Sequence, residues 1–571
     1  MRHAPQLSRT HTSGSAMLLP LLYILFLMSP WSWGTPLSLP ATPPRFALHL
    51  PLYKREAAPS VRRRAPKQDA IGLGDDIDIT YNVLIQVGET LTPLVLDTGS
   101  SDLWVLSSSC STDCFSVTVP LYPQTSFQPS GLAVRLAYGD SQTGTYAQGP
   151  VGKDVAGVAS LRLQDQYIAA ILETNTSVLQ SGSAGIFGLG FPVNSVIWNK
   201  LLVTKSAREA VIEDRSHPSF GTRIFPDLSR IRGRRTLVTR GTSGGSSSPS
   251  VGEALASFAT NGPLLPRLIL TGALASPIFA ISLQRDTVDI GGNQGMLSIG
   301  ELPAGIAAEN LTWVPLRGYT VAEGGLPAPE DSPNEVYPIT WEVAIDDVYF
   351  DGRKLPRSAL ATSNITLTAL LDTGNSLIRG PRDVLDAIIA QLGGNTYKCA
   401  EAHTLAFQIG GNLYPVDPRD FGSQTFENTV SQCTPNLAVT DPPGSGFLYS
   451  WSIGDPFLKS VFAAFYYGNL THPSQDQPRI GLLSTVPSDA AQRLQAAVQL
   501  ANATLSGNFP VISEAAPSGS PPSSGTGVAG VPQAHSAPPS QISHSSGATS
   551  KLTSPIGVIS LLTAISTTLA L

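Results

Sequence analysis

Apolar and polar residues alternate from Asp76 to Val95, in DIDITYNVLIQVGETLTPLV, where β-branched and aromatic side chains are interrupted by Gly88 and Pro93. A period of two over such residues predicts hairpin strands with one buried face. Similar short strands are predicted at VRLAYGD, TWEVAIDDVYFDG and FQIGGNLYPV, so the body reads as mainly β. Two stretches depart from alternation. Leu94-Val95-Leu96 and Ala369-Leu370-Leu371 are continuous aliphatic runs, the mark of a strand buried on both faces.

Each aliphatic run delivers the same tripeptide, Asp97-Thr98-Gly99 and Asp372-Thr373-Gly374. Farther on, each is followed by a second apolar strand with a glycine, at Gly188 in AGIFGLGFP and Gly454 in SWSIGDPFL, roughly 80 to 90 residues beyond. The chain therefore reads as two copies of one ancestral lobe. One segment does not fit: residues 205–262 are rich in arginine, serine and glycine and lack strand periodicity, which predicts a long surface loop or translated intron sequence. The GTSGG within it matches the form of a nucleophile elbow, but no strand precedes it and no helix follows.

An isolated Asp-Thr-Gly usually marks a turn. Two copies at the ends of buried strands are another matter, because a buried carboxylate is costly unless it is hydrogen-bonded or used. If a pseudo-twofold axis relates the halves, the two carboxylates meet at it, share one proton and titrate as a unit. Such a pair can activate a water with one oxygen and protonate a carbonyl with the other.

With D-T-G-S-S-D-L-W-V, the second D-T-G and I-G-D-P-F-L, the region from Ile79 to Leu483 resembles the pepsin-like aspartic peptidases, apart from the insertion. The resemblance implies an all-β, bilobal fold with an active-site cleft between pseudo-symmetric lobes, residues 65–300 and 301–500. It makes Asp97 and Asp372 the catalytic dyad. Thr98, Gly99, Ser100, Thr373, Gly374 and Asn375 become its support, with Ser100 bonded to Asp97. Tyr138 and Gly139 match the flap over substrate, and Trp104 the tryptophan that braces it. Asn375 stands where the family has Thr or Ser, which predicts tuning of the dyad, and the flap is about one residue short. Polypeptides are the implied substrates of a monomeric catalytic unit needing no cofactor and no metal.

The ends set the compartment. A basic start and the apolar run Ala16–Met28 read as a signal peptide over residues 1–34, too short to span a bilayer. Residues 35–64, with Lys54-Arg55 and Arg62-Arg63-Arg64, read as a pro-segment, a basic linker being the alternative. Residues 501–546 are the expected Ser/Pro-rich stalk, and 547–571 the removed signal of a glycosylphosphatidylinositol anchor attached at Ser546 or Gly547. With that tail the chain resembles the fungal surface-attached, yapsin-type members, so a membrane held through lipid is an expected partner. A tail-anchored helix is the alternative.

Composition changes this picture little. The 571 residues are 42% hydrophobic and 14% charged, with net charge −6 and no basic run interleaved with aromatics, which argues against nucleic acid as a partner. Length alone suggests three or four domains at ~150 residues each. The four cysteines allow three connectivities; Cys110–Cys114 and Cys399–Cys433 are the simplest, and a zinc site lacks a histidine partner. Sequons at Asn175, Asn310, Asn364, Asn469 and Asn502 suit a secreted chain.

Overall fold

The alternating stretches become strands. In the computed structural model, Thr80–Val87 and Thr90–Asp97 form an antiparallel hairpin, turned at Gly88 with φ 57°. Gln128–Tyr138 pairs with Thr145–Val158, and Leu405–Ile409 with Asn412–Pro415. The last hairpin turns on Gly410 and Gly411 at φ 58° and 80°, a two-residue turn that needs both residues left-handed. The structure describes residues 48–55, 80–111, 114, 119–139, 144–210, 249–283, 295–359, 367–440 and 450–509, with backbone only for 48–55 and 206–210.

The expected duplication is built as one motif used twice. In the first lobe Thr90–Asp97 runs parallel to Gly185–Gly188, with Asp97 opposite Gly188, and Leu103–Leu106 lies antiparallel on its other side. In the second, Thr368–Leu371 runs parallel to Trp451–Ile453, with Ile378–Gly380 antiparallel beyond it. Both aliphatic runs are fully buried, as continuous apolarity predicts. A sheet shared by the lobes passes through Val461–Tyr466, Ile278–Ser282 and Gly295–Ile299 to Thr80–Val87. Its connecting member is Leu48–Arg55, where Leu48 pairs with Ile299 and Arg55 with Thr80. That strand falls inside the expected pro-segment.

Three boundaries differ from expectation. The 205–262 stretch is helical at both ends: Val196–Ala210 enters it, and Val251–Ala256 and Phe258–Asn261 leave it. Ala254, Leu255 and Phe258 are buried against Trp198, so a three-to-four apolar spacing hidden among polar residues makes residues 251–261 part of the core. Residues 211–248 lie outside the described residues. At the far end, helix Ala490–Thr504 runs past residue 500 and buries Leu494, Val498 and Ala501. Gln424 then holds Gly507, Asn508 and Phe509, so the lobe extends into the expected stalk.

Disulfides join Cys110 to Cys114 and Cys399 to Cys433. Asn175, Asn310 and Asn502 are exposed, while Asn469 is half-buried with its carbonyl engaged by Thr471 and His472. The signal sequence, Asn364, most of the stalk, and Ser546 with Gly547 lie outside the described residues.

Candidate active site

Both Asp-Thr-Gly turns lie at the lobe junction and interlock. Thr98 N–H donates to Thr373 Oγ1 at 3.0 Å and Thr373 N–H to Thr98 Oγ1 at 3.0 Å. Each hydroxyl then donates to a carbonyl across the junction, Leu371 at 2.8 Å and Leu96 at 2.7 Å. All four groups are buried, so the turns are tied by partners that water cannot replace. The glycines permit the approach. A Cβ on Gly374 would lie 2.6 Å from Asp97 Oδ1, and one on Gly99 2.6 Å from Asp372 Cγ.

The two carboxylates are not equivalent. Asp97 is buried and accepts from Gly99 N–H at 2.8 Å, Ser100 N–H at 3.2 Å and the Ser100 hydroxyl. Asp372, partly open, accepts from Gly374 N–H alone among these backbone amides, at 2.9 Å. Burial raises both above the ordinary range, but the donors on Asp97 pull it back. Burial and the neighbouring charge of Asp97 push Asp372 up to about 8. Asp97 therefore has more donors to its charged form than Asp372 has, which favours the ionised state on Asp97.

The Asn375 side chain turns away from the carboxylates. Its amide donates to Ser452 O at 3.1 Å and Ser452 Oγ at 3.0 Å, and its Oδ1 accepts from Leu377 N–H, so it buttresses the neighbouring strand instead of the carboxylate. This explains why Asp372 has fewer donors than Asp97. Tyr138 ends the outgoing flap strand and its hydroxyl accepts from Trp104 Nε1 at 2.7 Å. Burial and the charges of Asp97 and Asp102 hold that phenol protonated. Gly139 follows at φ 84°, a left-handed turn position.

A match to the eukaryotic aspartyl protease family covers residues 80–216 and 248–472, well over half the chain and including both turns. The chain belongs to that family. The protease is 23% identical to an aspartic protease of Phaffia rhodozyma over 68% of this chain and 72% of the relative. It is 25% identical to rhizopuspepsin-2 of Rhizopus niveus over 68% and 76%, and 23% identical to pepsin A of Rhinolophus ferrumequinum over 69% and 80%. The break in the family match, between 216 and 248, falls inside the segment that lacked strand periodicity.

Other residues supporting the site escaped the sequence reading. Asp102 caps the helix Val196–Ala210 from a distance, accepting from Val196 N–H at 2.8 Å, Ile197 N–H at 3.2 Å and Ser195 Oγ at 2.5 Å. Leu189 N–H donates to Asp97 O at 2.8 Å, while Leu189 O accepts from Trp341 Nε1 at 2.9 Å and Tyr467 OH at 2.5 Å, both of the second lobe. Trp341 and Tyr467 pack with Phe191 and Phe279 beneath the junction. In sequence these aromatics are indistinguishable from ordinary core. Only Asp102, a charge inside D-T-G-S-S-D-L-W-V, offered a local signal.

Proposed function

We propose that this aspartic endopeptidase cleaves extended polypeptides with Asp97 as base and Asp372 as acid. Asp97, ionised, removes a proton from a water as that water adds to the scissile carbonyl. Asp372 gives its proton to the carbonyl oxygen; the tetrahedral intermediate then collapses as Asp97 passes the proton taken from water to the leaving nitrogen and Asp372 takes one back from a hydroxyl of the intermediate, which restores the starting pair. No covalent bond to the enzyme forms. The unequal donor sets of the two carboxylates carry this assignment, because identical residues become acid and base only in unequal surroundings. The test is cleavage of a peptide library by Asp97→Asn and Asp372→Asn, with and without a statine-containing transition-state analogue. Loss of at least about a thousandfold in kcat with folding intact is expected. An active, folded single variant refutes the dyad.

The same proposal puts the enzyme outside the cell, held at its surface by a glycosylphosphatidylinositol anchor on Ser546 or Gly547, as in yapsin-type proteases. Support comes from the order of segments: an apolar start, a basic pro-segment, the catalytic body, a Ser/Pro-rich stalk and a terminal apolar tail. Phosphatidylinositol-specific phospholipase should release activity from intact cells. If activity stays with the membrane after that treatment, a tail-anchored helix replaces the lipid.

A further inference from the structure

The flap stem is backed by a third strand. Its hairpin pairs from Gln128–Lys153 to Tyr138–Thr145, and on its outer side Glu173–Thr174 pairs with Ala147 and Gln148 of the return strand. Every polar atom of Tyr146, one residue past the Tyr138–Thr145 pair, is taken up by this short strand and the residue after it, Asn175. Tyr146 N–H donates to Asn175 Oδ1 at 2.6 Å. Tyr146 O accepts from Thr174 Oγ1 at 2.7 Å and from Asn175 N–H at 3.1 Å. The phenol donates to Glu173 Oε1.

The outer face of the ring is covered as well. The Arg135 guanidinium lies 3.3 Å from its centroid and donates to Gln148 Oε1 at 3.1 Å, linking the outgoing strand to the return strand. The stem is thus held from two sides. Trp104 grips Tyr138 next to the dyad, and Glu173 grips Tyr146 on the outer face. A hydrogen bond from a phenol to a carboxylate is among the stronger neutral-to-charged kind, and Glu173 keeps the phenol protonated.

We propose that Tyr146 and Glu173 are positioning residues that act through Tyr138: their contact fixes the flap stem before substrate arrives, so binding does not have to order it. Neither residue touches the carboxylates. Ordering a hairpin stem on binding costs conformational entropy, which appears as weaker affinity and not as slower chemistry.

The test is a cycle of Tyr146→Phe, Glu173→Ala and the double variant, with Glu173→Gln as the conservative control, in the enzyme expressed from the full chain. KM for a peptide substrate should rise roughly three- to tenfold in Tyr146→Phe and in Glu173→Ala while kcat stays within about twofold. The double variant should be no worse than either single, and Glu173→Gln, whose amide retains an acceptor oxygen, should recover most of what Glu173→Ala loses. Amide hydrogen exchange should quicken in 132–138 and 145–150, with the pH profile unmoved. Unchanged KM in both Tyr146→Phe and Glu173→Ala, additive losses, or unchanged exchange at the stem would each overturn the proposal. Because peptide cleavage itself persists in every variant, failure of this idea is distinct from failure of the dyad.

Discussion

Thr98 and Thr373 hold each other reciprocally: each amide donates to the other's hydroxyl, and each hydroxyl donates to the carbonyl preceding the opposite aspartate. The lobes are thus joined immediately beneath the dyad. Replacing either threonine by valine keeps the shape but leaves a buried N–H and a buried carbonyl without partners. A loss of about 2–4 kcal/mol in stability is expected, with serine restoring most of it. Chemical denaturation measures this; equal stability of valine and serine variants would mean the hydroxyls do not join the lobes.

Ser100 is the residue that separates the two titrations. Its hydroxyl lowers Asp97 by bonding the charged form, so Ser100→Ala should move the acid limb of kcat/KM upward by roughly one pH unit. The basic limb, set by loss of the proton on Asp372 near pH 8, should stay in place. A pH-rate profile with an unmoved acid limb would assign that limb to another group.

Stability should fall as pH rises. Asp372 titrates at 3.8 when unperturbed and at about 8 in the folded protein. Between those values the unfolded chain sheds a proton that the native state keeps, so the native state loses ground through this window and the loss is complete above it. Asp97 and the buried Glu342 act in the same direction. Asp372→Asn removes one contribution. The difference in urea midpoint between pH 4 and pH 7 should therefore shrink in the variant; an unchanged difference would show that Asp372 is not held protonated.

Trp104 donates its indole N–H to the Tyr138 hydroxyl at 2.7 Å, tying the end of the flap strand to the strand beside the dyad. Trp104→Phe and Tyr138→Phe should each raise KM several-fold, and the pair should not be additive because one bond is lost in both. Steady-state kinetics on the three variants decides this. A twofold change or less throughout would leave the bond without a role in binding.

Much of this was legible in the residues alone. Alternation placed the hairpins, and the continuous aliphatic runs placed two aspartates at the ends of buried strands, because a strand with no polar face can only be interior. The repeated tripeptide then marked the two turns that interlock at the lobe junction and the threonines that tie them. Local sequence could not show where Asn375 points: an amide can donate to a carboxylate or to Ser452, and the strand register decided for Ser452. Nor could it find Trp341 and Tyr467, whose contact with Leu189 crosses between lobes.

The sequence by itself determined which groups the protein carries to its centre, since burial and turn chemistry are properties of short segments. Tertiary structure decided how those groups differ. Asp97 and Asp372 occupy matching positions in motifs that differ at the next residue, Ser100 in one and Asn375 in the other, and only the folded structure shows which of these two side chains reaches its carboxylate. Their inequality comes from the donors around them, among the described residues three on one carboxylate and one on the other. The flap brace is the same kind of fact, because Arg135, Tyr146 and Glu173 become neighbours only when three strands lie side by side.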